Sequence, residues 1–304
     1  PQILVPGGTF NNGTSDVTIS SLFIAKFEVT QLEYLSVMGT NPAYFSGNLN
    51  RPVERVSWFD AIEYCNRLSM RDGLISCYSY TSYGTNPNNW PVGWNTSDAN
   101  HSNLSWNRTA NGYRLPTEME WMFVAKGGSY SQNFSYSGSN IVDSVAWYAN
   151  NSGGRTHVVG ELLANELGIY DMSGNVREWC WDIFGDYPTG IQINPIGPSI
   201  GTNRVRRGGR WDGDEFGCTV VNRSGAHSTL ASGSLGFRIC RSTDRMILVE
   251  GGTFNNGTSN VSLSSFFIDK FEITQSDYQA VMGGNPSYFS SYPNRPVEQV
   301  SWFN

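Results

Sequence analysis

The chain has 304 residues and a formal net charge of −6, with only three lysines (Lys26, Lys126, Lys270) and no basic run, which excludes an electrostatic nucleic-acid binder. Charged residues make up 15% and no run of roughly 18 apolar residues occurs, so the sequence offers no membrane span. Glycine is abundant (33), and Trp, Tyr and Phe number 10, 15 and 16, which points to a loop-rich fold with a core of aromatics rather than long aliphatic helices.

Ile3–Val5 and Val17–Phe27 alternate as strands, with Gly7–Thr14 as the turn between them. Thr30 followed by Glu33 is a capping box and predicts a helix to about Met38, stopped by Gly39 and Pro42. Ser57 with Asp60 opens a second helix, whose Trp58, Ile62, Cys65 and Leu68 share one face. Residues 76–110, rich in Asn, Ser, Gly and Trp, read as a long surface excursion. Thr117 with Glu120 caps a third helix, stopped at Gly127-Gly128. Short strands are expected at Ala146–Tyr148, Thr156–Gly160, Gly168–Met172, Glu178–Ile183, Val205–Gly208 and Leu235–Cys240. The pattern is α+β and loop-dominated. Five scattered cysteines (Cys65, Cys77, Cys180, Cys218, Cys240) make no disulfide framework. The histidines His101, His157 and His227 are too far apart for a zinc signature and read as exposed loop residues.

Residues 3–60 recur at 247–304 without a gap. Ile3-Leu4-Val5 returns as Ile247-Leu248-Val249, Gly7 through Thr14 returns unchanged as Gly251 through Thr258, and Val56-Ser57-Trp58-Phe59 returns as Val300-Ser301-Trp302-Phe303. A period this long is a domain array rather than a solenoid. We expect one complete domain at 1–244 and the N-terminal part of a second copy at 245–304, the latter poorly packed by itself. Pro1 is not an initiator methionine and Asn304 lies inside the repeated motif, so neither end speaks to a leader or an anchor.

Three strings carry a resemblance. They are Gly112-Tyr113-Arg114-Leu115-Pro116-Thr117-Glu118-Met119-Glu120-Trp121, Gly168-Ile169-Tyr170-Asp171-Met172-Ser173-Gly174-Asn175-Val176-Arg177-Glu178-Trp179, and Val205-Arg206-Arg207-Gly208-Gly209-Arg210-Trp211 followed by Leu235-Gly236-Phe237-Arg238. With the opening Gly-Gly-Thr-Phe and the Glu-Val-Thr-Gln of 28–31, they resemble the formylglycine-generating-enzyme, or sulfatase-modifying-factor, family over residues 3–242. The resemblance implies a C-type-lectin-like fold of that type: loop-rich, with short helices and small antiparallel sheets. It also implies a calcium site in which Asp171 and Glu178 give carboxylate oxygens and Gly174 and Val176 give carbonyls, a hard-oxygen set. The residues themselves leave a second reading open, with Asp171 capping a turn and Glu178 paired to an arginine.

The family enzyme holds copper(I) between two cysteines and oxidises a substrate cysteine with oxygen. A soft monovalent ion needs that thiolate pair. Here only Cys218 stands at a family cysteine position; Gly213 occupies the place of its partner, and Arg210 that of a serine near the oxygen site. Copper and oxidation are therefore not expected, and Cys218 remains a residual catalytic candidate that reads as structural.

Between the framework strings lies an unpatterned segment, 210–234. It falls where the family's substrate groove lies, and it mixes aromatic anchors with small polar residues as a paratope does. Arg210, Trp211, Asp212, Asp214, Phe216, Ser224, His227, Thr229 and Leu230 are the expected ligand contacts. A subset of the family has this segment rewritten by diversity-generating retroelements, which turn AAY codons into NNY. NNY cannot encode Lys, Glu, Gln, Met or Trp, and none of these occurs in 224–234, although Glu215 departs from the pattern. The expectation is a non-catalytic recognition domain for a protein or glycan, displayed as tandem copies that add avidity, at a cell surface or in an extracytoplasmic space. The alternatives are a copper-dependent oxidase or a structural repeat of a surface protein.

Overall fold

The computed structural model describes residues 1–243 without interruption and most of 246–301. The chain divides into two compact units, Pro1–Thr243 and Asp244–Asn304. The first unit runs β1 Gln2–Val5, β2 Gly8–Asn11, β3 Asp16–Ile19, β4 Leu22–Ala25, α1 Gln31–Met38, α2 Trp58–Arg71, β5 Tyr78–Tyr80, β6 Leu104–Trp106, α3 Glu118–Ala125, β7 Ala146–Trp147, β8 Ser173–Gly174, β9 Arg177–Ile183, β10 Gln192–Ile193, β11 Asn203–Arg207, β12 Arg223–His227, β13 Leu235–Gly236 and β14 Cys240–Ser242. The sheets are small: β12-β11-β9-β13, β1-β4-β14, β10-β3-β2 and the pairs β5-β6 and β7-β8. Pairing is antiparallel except at β10–β3, β13–β9 and β7–β8.

Each helix begins where the sequence says it must. Thr30, Ser57 and Thr117 accept from the backbone N–H three residues on, and Glu33, Asp60 and Glu120 reach back to the cap backbone. These reciprocal bonds satisfy N–H groups that the first turn leaves without partners. Gly39 ends α1 at φ 76°, a left-handed conformation that a Cβ would resist.

Other local expectations change. Val17–Phe27 is two strands, because Ser20 and Ser21 turn the chain, and Gly7–Thr14 contains β2 rather than a turn alone. Thr156–Gly160 and Gly168–Met172 form no strand: their polar groups bond to side chains and loops, as His157 N–H does to Asn175 and Gly160 N–H to Asp171. Leu235–Cys240 is broken into β13 and β14. The 76–110 excursion is in part core. Cys77, Tyr78, Tyr80, Trp90, Trp94, Leu104 and Ala110 are buried, with Trp94 edge-on to Phe59 of α2 at 5.4 Å. Its aromatics follow no single period, so the pattern hid their burial.

Two main cores result, the first rich in aromatics and the second mainly aliphatic. One gathers Trp58, Phe59, Tyr64, Tyr78, Trp179 and Phe237 around α2. The other gathers Val17, Ile19, Trp121, Phe123, Cys180 and Val205 around α3. Trp179 and Cys180, adjacent on β9, point to opposite cores, so the β9–β11 sheet separates them. Buried indoles find acceptors: Trp58 Nε1 donates to Cys180 O at 3.0 Å and Trp179 Nε1 to Val56 O at 3.1 Å.

In the second unit, Met246–Val249 pairs with Phe266–Asp269 and Gly252–Asn255 with Asn260–Leu263, in the registers of β1–β4 and β2–β3. Phe289 N–H donates to Glu298 Oε1 at 3.1 Å, as Phe45 does to Glu54 Oε1 at 2.8 Å. Among the described residues, no helix is long and apolar enough to cross a membrane.

Candidate functional site

Segment 210–234 hangs between β11 and β13 and contributes β12 to the sheet. Two glycines with positive φ, Gly208 (97°) and Gly209 (80°), turn the chain out of β11. A Cβ on Gly209 would stand 2.8 Å from Cys218 Cα, so this turn and the 3₁₀ turn Phe216–Cys218 approach too closely for any side chain. From there the backbone is tied down repeatedly. Trp211 N–H donates to Asn175 O at 2.8 Å, Ala149 N–H to Gly213 O at 2.9 Å and Ser152 Oγ to Trp211 O at 2.8 Å. β12 pairs with β11 from Asn203↔His227 to Arg207↔Arg223.

The stretch after β12 has no periodic pattern, yet it too is fixed. Ser228 O accepts from Trp58 N–H at 3.0 Å in the first turn of α2. Arg55 N–H donates to Ser232 O, Trp211 Nε1 to Gly233 O and Arg177 N–H to Ser234 O, each at 2.8–2.9 Å. Asp98, from a 3₁₀ turn at Asp98–Asn103, accepts from Ser228 Oγ at 2.6 Å and Thr229 N–H at 3.1 Å, and pairs with His227 Nδ1. Sequence reasoning missed Asp98. Nothing local marks it, because its partners lie across the fold.

Of the expected contacts, Asp212, Asp214, Phe216, His227 and Leu230 are exposed, and Arg210, Trp211, Ser224 and Thr229 are half-buried. Phe216 is 67% exposed, unusual for a residue of its size. The residues do not converge on one cleft. Ser224 and His227 are three residues apart on β12, about 10 Å at the usual strand rise. Trp211 meets Phe45 edge-on at 5.3 Å, which brings the 41–55 loop to the same face. A cavity of about 340 Å³ lies elsewhere, against Phe27, Tyr64, Arg71 and Tyr113. Of the histidines, only His227 is exposed; His157 stacks on Trp147 at 3.7 Å, a correction that follows from the loop folding back on β7.

Cys218 is fully buried, in a small cluster with Ala146 and Tyr148, and burial pushes its thiol up to about 11. All five cysteines are unbridged, and the other four sit in the two larger cores. Gly213 supplies no sulfur, so this donor set does not fit copper(I).

Of the four expected calcium ligands, Glu178 is bonded to a guanidinium, with Asp171 close enough to feel its charge; Val176 N–H turns to Glu28, and Gly174 N–H bonds Gly208 O beside Trp147. Arg238 donates to both Glu178 oxygens at 2.7 Å, and Trp121 Nε1 adds a third bond at 2.7 Å. Both partners of the pair are fully buried. Asp171 holds a left-handed φ of 59° and accepts from Gly160 N–H at 2.7 Å. Burial raises its carboxyl to about 6. Glu28 joins them, accepting from Asn175 Nδ2 at 2.8 Å and Val176 N–H at 3.0 Å. Burial, then the Asp171 and Glu178 charges, pushes Glu28 well up. Among the described residues no group of three or more His, Cys, Asp or Glu side chains is placed to hold a metal. With Glu178 committed to Arg238, the residues as arranged do not fit calcium, and the turn-cap and ion-pair reading describes them. Glu28 was legible only as part of the Glu-Val-Thr-Gln string, not as a member of this cluster.

Chaperone protein LppX of Paenibacillus barcinonensis is 44% identical over 235 residues, 69% of this chain and 78% of that one. The formylglycine-generating enzyme of Streptomyces coelicolor is 32% identical over 174 residues, 49% of this chain and 55% of that one. Among solved structures, Treponema denticola variable protein 1 matches with a TM-score of 0.72 at 33% identity, covering 79% of this chain and 94% of that one. CarF matches with a TM-score of 0.65 at 24% identity, over 80% and 98% of the two chains, a likeness of fold. The sulfatase-modifying factor enzyme 1-like domain matches residues 1–243 and again 240–304, and the chain belongs to that family.

Proposed function

We propose that this protein is a non-catalytic recognition domain on a formylglycine-generating-enzyme scaffold, with the 210–234 face as its ligand surface. One observation carries the reading: the backbone of this face is anchored to the scaffold from Trp211 to Ser234, while Asp212, Asp214, Phe216 and Leu230 turn outward. A rigid backbone with exposed aromatic and small polar side chains lowers the ordering cost of binding. The contacts spread over an open face, which suits a macromolecule better than a small molecule held in a pocket. A relative named as a chaperone and a structural neighbour named as a variable protein support recognition of a protein or glycan. Cys218, buried and without a second thiol in its cluster, supports the absence of copper chemistry.

The test is a glycan array and an array of purified proteins, probed with the wild type and with a variant whose 224–234 order is shuffled with Ser228 kept in place. Expected are hits that the shuffled chain loses. Equal binding by both would overturn the proposal.

A further inference from the structure

Arg177, Arg206 and Arg210 are gathered at one end of the β9–β11 sheet. Register places them: Glu178 pairs with Arg207 and Trp179 with Arg206, so Arg177 begins β9 as the chain leaves β11 for Arg210. Trp211 N–H bonded to Asn175 O holds Arg210 over that end. All three are half-buried. Among the described residues, neither Arg177 nor Arg206 makes an ion pair, and the one side-chain bond of Arg206 runs from Nε to Ser224 Oγ at 3.1 Å. Asp212 lies 3.3 Å from Arg210 Nε but out of hydrogen-bond geometry, and that buried Nε has no acceptor. Asp212 and Asp214 are the acidic neighbours, and both are exposed.

Like charges held close together repel, and less water around them screens the repulsion less. Burial first, then the Arg177 and Arg210 guanidiniums, pushes Arg206 down to about 10, and burial followed by Arg210 lowers Arg177. Even so lowered, Arg206 stays protonated at neutral pH, so the repulsion persists in the free protein. Each guanidinium presents a planar fork of donors. A carboxylate offers two oxygens to three forks, whereas a tetrahedral oxyanion offers up to four. We propose that this cluster is a binding site for a tetrahedral oxyanion, the sulfate or phosphate ester group of a ligand, with Ser224 as a further donor. The proposal deepens the recognition reading above, because Arg210 and Ser224 belong to the same face.

The test is titration of the full chain with sodium sulfate, sodium phosphate and N-acetylglucosamine 6-sulfate, with sodium acetate for comparison, at constant ionic strength. Arginine Nε–Hε resonances report the site. Saturable shifts at Arg177 and Arg206 are expected with the tetrahedral anions and weaker ones with acetate. Arg177→Gln and Arg206→Gln should each weaken binding by about tenfold, the loss of one charge-assisted contact. Arg108→Gln, an exposed control, should not. The two variants should also keep or raise Tm in anion-free buffer, because each relieves repulsion, and this separates lost binding from lost folding. No saturable shift, equal affinity in the variants, or acetate binding as tightly as sulfate overturns the site. Anion binding intact while the shuffled segment still gives equal array hits removes the recognition reading alone; array hits lost without anion binding removes only this site.

Discussion

Asp98 Oδ1 accepts a hydrogen bond from Ser228 Oγ at 2.6 Å across 130 residues of sequence. Ser228 itself is fully buried. Asp98 also takes Thr229 N–H and pairs with His227, so one carboxylate sets the course of the stretch that follows β12. Two of these three bonds use a hydroxyl and a backbone N–H and the third the His227 ring, which leaves the side chains at 229 and 230 outside the clamp.

Asp98→Asn should loosen this stretch. Hydrogen exchange at 227–231 is expected to rise, and global stability to fall by about 1 kcal/mol, the usual net worth of a hydrogen bond. Burial opposes the charge on Asp98, but Ser228, His227 and Thr229 outweigh it, and its carboxyl is held below the ordinary value. A depressed folded pKa contributes stability above the unfolded value, lost as pH falls through the folded one. Protection of 227–231 should therefore decline below about pH 4, and the decline should vanish in the variant. Unchanged exchange in Asp98→Asn would remove the clamp.

Asp171 has the opposite sign. Its carboxyl is raised to about 6, so its contribution is fully present below the unfolded value and lost as pH rises through 6. Glu28, raised as well, acts in the same direction. Asp171→Asn keeps an acceptor for Gly160 N–H and removes the charge. The stability difference between pH 5 and pH 8, measured by urea unfolding, should shrink in this variant by about 1.4 kcal/mol, one pH unit of linkage. A variant whose pH dependence matches the wild type contradicts the assignment.

Arg238 stands between the three carboxylates as their counter-charge. Arg238→Met leaves Glu178 buried and unpaired, which should cost about 3–5 kcal/mol and lower Tm markedly. Replacing both, Arg238→Met with Glu178→Gln, should recover part of the loss. Since Arg238 already takes both oxygens of Glu178, millimolar calcium should leave the wild-type Tm unchanged. A calcium-dependent rise that Glu178→Gln abolishes would reinstate the metal.

Copper(I) titration of the reduced chain should give no stoichiometric tight binding, because Cys218 has no partner sulfur. Cys218→Ala should give the same trace. A sharp one-equivalent endpoint that this variant loses would restore the oxidase reading.

The sequence already held whatever is local. The three capping boxes start their helices as written, because a cap and its partner lie within one turn. The hairpin registers recur in the second copy, and so does the Phe289–Glu298 bond, because each needs only a few dozen residues. Packing did not follow from these signals. Val17 is fully buried in the core with α3, while its counterpart Val261 is half-buried under the same local pattern. The aromatics of 76–110 looked like a surface loop until α2 gave them a wall. At the site, residue types alone named Asp212, Asp214, Phe216, His227 and Leu230, which are exposed, but also four residues that are half-buried, and could not show that an unpatterned Ser/Gly stretch would be tied down. That anchoring comes from Trp58, Asp98 and Arg55, each far from it along the chain, and the bonds exist only once the fold brings donor and acceptor within 3 Å. The Glu178–Arg238 pair was decided the same way, since two groups 60 residues apart meet by topology and not by pattern.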